Sequence, residues 1–226
     1  MKRIAEFLLR VALFGLICFV FSLAAYARLS GVVNVAVIVM GVMSTYPVVW
    51  LARKILDRHR TIGYAVWTTT FVHVALALTL GVPFIRAVAT HRDWRGWALP
   101  VPTGLGLALV MVTAAAFLLT VVNLALKGLG APGIALSRRL AADWFYARSR
   151  NPMALAALAF FLSLGIWFQS LLFVLWVLIL VAPTVLFFIR VYEERELDLR
   201  FGEAYRAYRT ATPFLWPSLR PRQPPN

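Results

Sequence analysis

Residues 151–189 read NPMALAALAFFLSLGIWFQSLLFVLWVLILVAPTVLFFI, and these 39 residues contain no charged side chain. A membrane-spanning α-helix needs about 20 predominantly apolar residues, so this run has the length of two spans. Gly165 and the pair Gln169-Ser170 lie near its middle and indicate a turn. The run therefore predicts a transmembrane helical hairpin.

The chain before this hairpin has the same apolar character. The 226 residues are 62% hydrophobic and 14% charged, with a mean hydropathy of +0.79, which is typical of a membrane protein. Charged residues separate four more uncharged runs, which are 11–27, 29–52, 61–85 and 96–126. Each run is long enough, with its flanks, for one helix. We therefore predict an all-α polytopic membrane protein with six transmembrane helices.

The sequence divides into three predicted parts. Residues 1–126 form a four-helix transmembrane region, and residues 127–217 contain a loop, the hairpin and a tail helix. Residues 218–226 are rich in proline, which cannot continue a helix, and are predicted to be disordered. Phe214 and Trp216, just before this end, are expected at the membrane interface.

The distribution of Lys and Arg predicts the orientation of the helices. If the N-terminus is inside, the inner segments 1–10, 53–60, 127–150 and 190–226 carry 19 of the 23 Lys and Arg residues. The remaining four, expected in outer segments, are Arg28, Arg86, Arg92 and Arg95. By the positive-inside rule both termini are cytosolic, at the inner membrane if the protein is bacterial. We expect the first apolar run to be retained as a helix rather than removed as a signal peptide.

The formal net charge is +14, but most basic residues lie between apolar runs rather than in one continuous patch. We interpret them as topology signals and contacts with anionic membrane lipids, and predict no nucleic-acid site. Cys18 is the only cysteine, which excludes an intrachain disulfide and a cysteine-cluster metal site. His59, His73 and His91 lack metal-ligand spacing, so no metal site is predicted. His73 lies inside an apolar run, where it is interpreted as bonded to a neighbouring helix, with a functional polar site as the alternative.

Acidic residues concentrate just beyond the last predicted span. The chain has nine Asp and Glu residues, and five of them lie in one stretch: Glu193, Glu194, Glu196, Asp198 and Glu203. The same stretch places Leu197, Phe201, Tyr205 and Tyr208 on one helical face. An amphipathic interfacial helix with a solvated acidic face explains this pattern, and so does a site built from the acidic residues.

The residues that begin the hairpin also have two interpretations. Asn151 followed by Pro152 suits the N-cap and first turn of a helix, with Arg150 marking the inner membrane face. A helix N-terminus beside a guanidinium is equally an anion-binding arrangement. The stretch 127–133 upstream is too rich in glycine for a helix and predicts a flexible loop.

The order of these segments is distinctive. After the Gly-Pro loop come Tyr146, Arg150-Asn151-Pro152-Met153, the hairpin, Glu193-Glu194-x-x-Leu197 and Phe201-Gly202-x-x-Tyr205-x-x-Tyr208. This order resembles the isoprenylcysteine carboxyl methyltransferase family and the wider group of membrane methyltransferases, which includes phospholipid N-methyltransferases. The resemblance covers about residues 127–217, and the first four helices add only hydropathy to it.

The resemblance implies an S-adenosylmethionine-dependent methyltransferase, with residues 127–217 as its cofactor-binding region. The cofactor is expected on the cytosolic side, between the loop, the hairpin and the tail helix. The implied cofactor-binding residues are Tyr146, Arg150, Asn151, Pro152, Met153, Glu193 and Glu194. Arg150 and Glu194 are the implied catalytic residues. Two positions depart from the family: Trp144-Phe145 stands in place of Gly-Pro, and Ala154 in place of a tyrosine.

The expected acceptor is a lipophilic molecule that enters sideways between helices. A carboxylate acceptor needs only a cation to orient it, which is a role for Arg150. An amine acceptor needs a base, for which Glu193 or Glu194 could serve. Because S-adenosylmethionine is already an activated methyl donor, the protein mainly has to align the reactants and exclude water.

Other functions remain open. A sterol-reductase-like membrane enzyme would share this C-terminal region and use NADPH. A transporter or membrane scaffold is the non-enzymatic alternative, although the first four spans contain almost no ionisable residues to line a path. A degenerate, inactive member of the methyltransferase group is the last alternative, and the sequence carries no signal for an oligomeric state.

Overall fold

The computed structural model describes residues 2–128 and 139–218. Within these residues the structure is helical and contains no strand, which confirms the predicted all-α class. The helices are α1 Lys2–Tyr26, α2 Gly31–Arg58, α3 Ile62–Thr90, α4 Thr103–Gly128, α5 Pro152–Trp167, α6 Leu171–Phe201 and α7 Glu203–Ala211. A short 3₁₀ segment, His91–Trp97, follows α3.

Four helices, α2, α3, α4 and α6, are long and apolar enough to cross a membrane. The apolar parts of the other two candidates are shorter and comprise Val11–Tyr26 and Pro152–Trp167. Large apolar side chains on the long helices remain exposed, among them Met111, Val112 and Leu118 of α4. Such a surface is costly in water and favourable in lipid, so the helices indicate a membrane protein.

Helix α6 is the central element of the described residues. It packs against α2, α3 and α5, while α1 lies on α3 and α4 lies on α5. Three fully or almost fully buried residues of α6, Val177, Val181 and Tyr192, belong to three separate apolar clusters along its length. The last turns of α6, which follow its apolar part, are therefore packed against α2 and α3.

The α5–α6 hairpin turns at the residues that the sequence predicted. The amide of Ser170 donates to the carbonyl of Gly165 at 2.9 Å, and its hydroxyl accepts from the amide of Phe173 at 3.2 Å. A Cβ atom at Gly165 would lie 2.8 Å from Cγ2 of Val174, closer than packed atoms allow. Gly165 is therefore required where the two helices approach each other.

The expected position of Arg86 in an outer segment is wrong, because this residue lies inside α3 and is buried. Its Nε atom donates to Oδ1 of Asn34 at 2.7 Å. Its Nη1 atom donates to the carbonyls of Ala24 and Ala27, each at 2.8 Å. The guanidinium thus donates to carbonyls at the end of α1 that have no intrahelical partners. Neutral oxygens, rather than a carboxylate, stabilise its positive charge.

The predicted tail helix is divided at Gly202, whose φ of 53° is favourable only for glycine. Leu197 and Phe201 consequently belong to the end of α6, and the two tyrosines belong to α7. Tyr205 and Tyr208 are buried, with 2% and 3% of their surfaces exposed. The aromatic face of α7 therefore packs against the protein.

Candidate active site

The loop before α5 and the segment after α7 run side by side. The amide of Arg150 donates to the carbonyl of Pro213 at 2.9 Å, and the amide of Ser218 donates to the carbonyl of Arg148 at 2.9 Å. The hydroxyl of Ser149 donates to the carbonyl of Leu215 at 2.8 Å. These bonds join parts of the chain that are more than 60 residues apart, so the tail holds the loop in place.

Asn151 occupies the N-cap position of α5, but its side chain does not cap the helix. Instead its Nδ2 atom donates to the carbonyl of Phe214 at 2.8 Å, and its backbone amide donates to the hydroxyl of Ser149 at 3.2 Å. The predicted capping role is therefore wrong, because the tail competes for the side chain. Pro152 follows in the first turn of α5. No side chain of the described residues caps the free backbone amides of this first turn.

The side chain of Arg150 meets that of Glu194 at this uncapped end. Nη1 of Arg150 lies 2.8 Å from Oε1 of Glu194, and only 12% and 14% of the two side chains are exposed. The atoms are at ion-pair distance without the alignment of a hydrogen bond, and Nε of Arg150 is buried without a partner among the described residues. Unsatisfied buried donors are rare, and a bound ligand or water is one of the few explanations for them.

A π-helical turn in α6 sets the direction of Glu194. This turn, Ile189–Glu193, ends at the residue before it. A π-helical turn adds one residue to the helix and so rotates every later side chain relative to the earlier ones. After this turn, the carboxylate of Glu194 meets Arg150, which lies two residues before α5.

Glu193 is within electrostatic range of Tyr146. Burial raises the pKa of Tyr146, and the negative charge of Glu193 raises it further. The hydroxyl of Tyr208 donates to the carbonyl of Tyr146 at 2.8 Å, which fixes this part of the loop against α7. Burial likewise raises the pKa of Tyr205, and the charges of Glu194 and Arg150 act on it in opposite directions. Tyr146 and Tyr205 are therefore within electrostatic range of the charged residues of the site, and their raised pKa values keep them protonated at neutral pH.

The other acidic residues of the stretch have partners elsewhere. Oε1 of Glu196 lies 2.6 Å from Nη1 of Arg200. Asp198 accepts from Arg195 at 3.1 Å and from Arg206 at 2.9 Å. Only Glu193 and Glu194 of this stretch therefore face the loop and α5. The structure separates these two acidic residues from Glu196, paired within α6, Glu203, paired within α7, and Asp198, which joins α6 to Arg206 of α7.

An open cleft of about 450 Å³ adjoins Arg150. Its lining also includes Arg209, Thr210, Ala211, Thr212, Pro213, Phe214, Trp216 and Ser218. The volume is within the range of small-molecule sites. The sequence placed Phe214 and Trp216 at the membrane interface, and it did not predict Arg209. The aromatic residues Phe214 and Trp216 after α7 were the one sequence feature that could have indicated the cleft.

The structure brings some predicted site residues together and not others. Arg150 and Glu194 are in contact, and Glu193 is within electrostatic range of Tyr146. Asn151 binds the tail, whereas Pro152 and Met153 are near the ion pair only as its neighbours in the chain. The predicted loop 127–133 is wrong at residues 127 and 128, which belong to α4, and its remainder lies outside the described residues. The predicted disordered tail 218–226 is wrong at Ser218, whose amide bonds the carbonyl of Arg148, and its remainder also lies outside the described residues. Among the side chains that are described, no group of His, Cys, Asp and Glu has the arrangement of a metal site.

Comparisons with protein-family models, with curated proteins and with solved structures find no match for this chain. The function must therefore be argued from the site itself. The features that carry chemistry are a buried guanidinium, two neighbouring carboxylates, an uncapped helix N-terminus and a cleft. Together they suit a small molecule that carries charges of both signs.

Proposed function

We propose that this protein is an integral-membrane methyltransferase that uses S-adenosylmethionine and acts on a lipophilic acceptor at the cytosolic membrane face. The observation that carries the proposal is the buried contact between Arg150 and Glu194, at 2.8 Å. It joins the two motifs on which the resemblance to membrane methyltransferases rests, at the edge of a cleft of ligand size. The order of motifs along residues 127–217 gives independent support.

The residues of the site fit this cofactor. Its amino-acid end carries a carboxylate and an ammonium group, and Arg150 and Glu194 offer one charge of each sign. Nε of Arg150 is a buried donor without a hydrogen-bond partner among the described residues, so it can donate to a carboxylate oxygen without losing a bond. With a carboxylate acceptor, which needs no base, Glu193 can bind the ammonium together with Glu194.

The bound cofactor would supply a methyl group on a positively charged sulfur. The acceptor atom provides the electron pair for the new carbon–oxygen or carbon–nitrogen bond, and the sulfur keeps the pair of the broken bond. Arg150 would orient a carboxylate acceptor, which becomes a neutral ester and releases no proton. With an amine acceptor Glu193 would take the proton that leaves, because it makes no ion pair with the described residues.

The protein's further contribution is alignment and exclusion of water. Arg150 is held by its backbone bond to Pro213 and by Glu194, and Tyr146, Tyr205 and Tyr208 are buried in the preceding loop and in α7. An acceptor with a lipid tail would enter sideways, since the site adjoins apolar helices. Membrane lipids are accordingly the expected surroundings of the substrate.

The proposed topology has six spans with both termini in the cytosol, at the inner membrane if the protein is bacterial. Four spans are the long apolar helices, and the shorter segments Val11–Tyr26 and Pro152–Trp167 complete them. The positive-inside rule supports this orientation. With Arg86 buried in α3, the outer connections keep Arg28, Arg92 and Arg95 as their basic residues.

Calorimetric binding of S-adenosylmethionine to the detergent-purified protein tests the proposal. We expect the wild type to bind, and Arg150→Ala and Glu194→Ala to bind at least tenfold more weakly. Arg200→Ala is the matched control, since Arg200 forms a comparably buried ion pair with Glu196, with 2.6 Å between Nη1 and Oε1. Neither residue lines the cleft. Its binding should equal that of the wild type.

Three results would overturn the proposal. A wild type that does not bind at millimolar cofactor would be the first, and NADPH binding in its place would favour the reductase-like alternative. Unchanged binding in both site variants would be the second. The third is that folded Arg150→Ala protein retains full methyl transfer to a lipid extract.

A further inference from the structure

Asn123 of α4 is a buried polar side chain without a partner. Its exposed surface is 0%, and neither Oδ1 nor Nδ2 has a hydrogen-bond partner among the described residues. Burying both halves of an amide in this way is unfavourable, and polar groups inside apolar spans mark functional sites by default. Asn123 lies one turn before Lys127, near the end of an apolar run.

The packing of α4 on α5 gives the position of Asn123 along the hairpin. The two helices are antiparallel, and a Cβ atom at Gly106 would lie 2.7 Å from Cα of Trp167, so these two positions touch. Asn123 comes seventeen residues after Gly106, and Arg150 seventeen residues before Trp167. Because every helical residue rises about 1.5 Å, Asn123 is level with the beginning of α5.

The side of α4 that faces α5 includes Asn123. Gly106, Val110, Thr120 and Asn123 are the buried positions of this helix, and they recur at helical spacing along one face. The contact between α4 and α5 extends along the helices rather than occurring at one crossing point. Asn123 therefore lies on the buried side of α4, at about the level of the uncapped end of α5.

Three unsatisfied groups thus lie at one level of the membrane region. They are the amide of Asn123, Nε of Arg150 and the uncapped N-terminus of α5. Arg150 and the start of α5 are neighbours in the chain, whereas Asn123 comes from α4, so a local distortion before α5 does not by itself account for Asn123. A ligand bound at this level would satisfy them together.

We propose that Asn123 is a ligand-binding residue of this site and that its amide pairs with the adenine edge of the cofactor. The inference rests on the proposed function. The charged amino-acid end of the cofactor matches Arg150 and Glu194, which leaves its neutral base for a neutral partner. Adenine presents a donor, N6, beside an acceptor ring nitrogen, and an asparagine amide forms two hydrogen bonds with such an edge.

The test compares two ligands and two proteins. The ligands are S-adenosylhomocysteine and its analogue in which purine replaces adenine, so that the N6 amine is missing. The proteins are the full-length wild type and Asn123→Leu, in detergent, with binding measured by calorimetry. We expect the wild type to prefer the adenine ligand by about tenfold, as for one lost hydrogen-bonded base contact. Asn123→Leu should bind it at least tenfold more weakly than the wild type does and show no preference.

Thermal stability supplies the control readout. Leucine removes two unsatisfied polar atoms, so Asn123→Leu should melt at the wild-type temperature or above it. Thr184→Val is the matched variant, because Thr184 of α6 is also fully buried and its hydroxyl has no partner among the described residues. It should melt similarly and bind like the wild type. If Asn123→Leu does not fold, Asn123→Ser allows the same comparison.

The possible outcomes are distinguishable. Wild-type affinity in Asn123→Leu would overturn the inference while leaving the proposed function intact. Weaker binding with the preference for adenine retained would overturn the assignment to the base. An equal loss in Thr184→Val would show that packing is responsible. A wild type that binds neither ligand would overturn the proposed function and this inference with it.

Discussion

The hydroxyl of Tyr208 donates a hydrogen bond of 2.8 Å to the backbone carbonyl of Tyr146, which joins α7 to the loop before α5. Both residues are buried, with 3% and 8% of their surfaces exposed. The carbonyl would have no other partner among the described residues if this hydroxyl were removed. The bond therefore helps to hold the loop that carries Arg150.

We expect Tyr208→Phe to lower the free energy of unfolding by about 1–2 kcal/mol, because it leaves a buried carbonyl unsatisfied. The melting temperature in detergent measures the effect. Tyr205→Phe is the control, since its hydroxyl makes no hydrogen bond within the described residues and its ring is equally buried. Equal melting temperatures for the two variants would contradict the structural role of the Tyr208 hydroxyl.

The buried pair of Arg150 and Glu194 should behave differently in single and double variants. Arg150→Met or Glu194→Leu alone leaves one charge buried without its partner, and each should cost on the order of 2–4 kcal/mol. The double variant buries no charge and should recover most of this loss. Melting temperature measures stability, and cofactor binding should remain lost in all three. Recovered binding in the double variant would show that the pair is structural only.

The stability of the hairpin should depend strongly on one glycine, Gly165. In Gly165→Ala the new methyl group would lie 2.8 Å from Cγ2 of Val174, and the helices must separate to admit it. We expect a loss of about 1–3 kcal/mol, measured by thermal unfolding in detergent. Gly104→Ala is the control, because nothing lies within 4 Å of its position. A control that destabilises as strongly would contradict the packing explanation.

Arg86 should anchor α1 to the rest of the protein. Arg86→Met keeps the apolar stem but removes the donors to Asn34, Ala24 and Ala27, so we expect a loss of about 2–4 kcal/mol. Proteolysis in detergent should also become faster near residues 27–30, between α1 and α2. Arg28→Met, an exposed arginine in that connection, should leave both measurements unchanged. If Arg86→Met behaves like Arg28→Met, the hydrogen bonds of Arg86 do not anchor α1.

The sequence predicted more of the fold than of the candidate site. The all-α class, the apolar membrane helices and the turn near Gly165 agree with the structure. Each of these depends on composition or on neighbours within a few residues. Arg86 shows the limit of such reasoning, because a charged residue at the edge of an apolar run reads as a loop residue. Its burial depends on carbonyls of another helix that the local pattern cannot reveal.

The candidate site was predicted as residue types but not as a set of contacts. The sequence pointed to Arg150 and Glu194 through their motifs, but only the hairpin and the π-helical turn bring them within 2.8 Å. The capping role expected for Asn151 is wrong, because the tail carbonyl of Phe214 takes its side chain. Asn123 drew no attention in the sequence, since one asparagine in an apolar run is unremarkable without knowledge of its burial.

By itself, the sequence determined that this chain is helical and built for a membrane, because hydropathy and helical periodicity are summed along the chain and need no partner. Only the tertiary structure decided which polar groups lie without partners and which charges meet. Hydrogen bonds and ion pairs act over a few ångströms, so they depend on which helix faces pack together. The packing of α4 and α6 around α5 brings Asn123 level with the start of α5 and Glu194 onto Arg150, and the chemistry proposed for this protein depends on that arrangement.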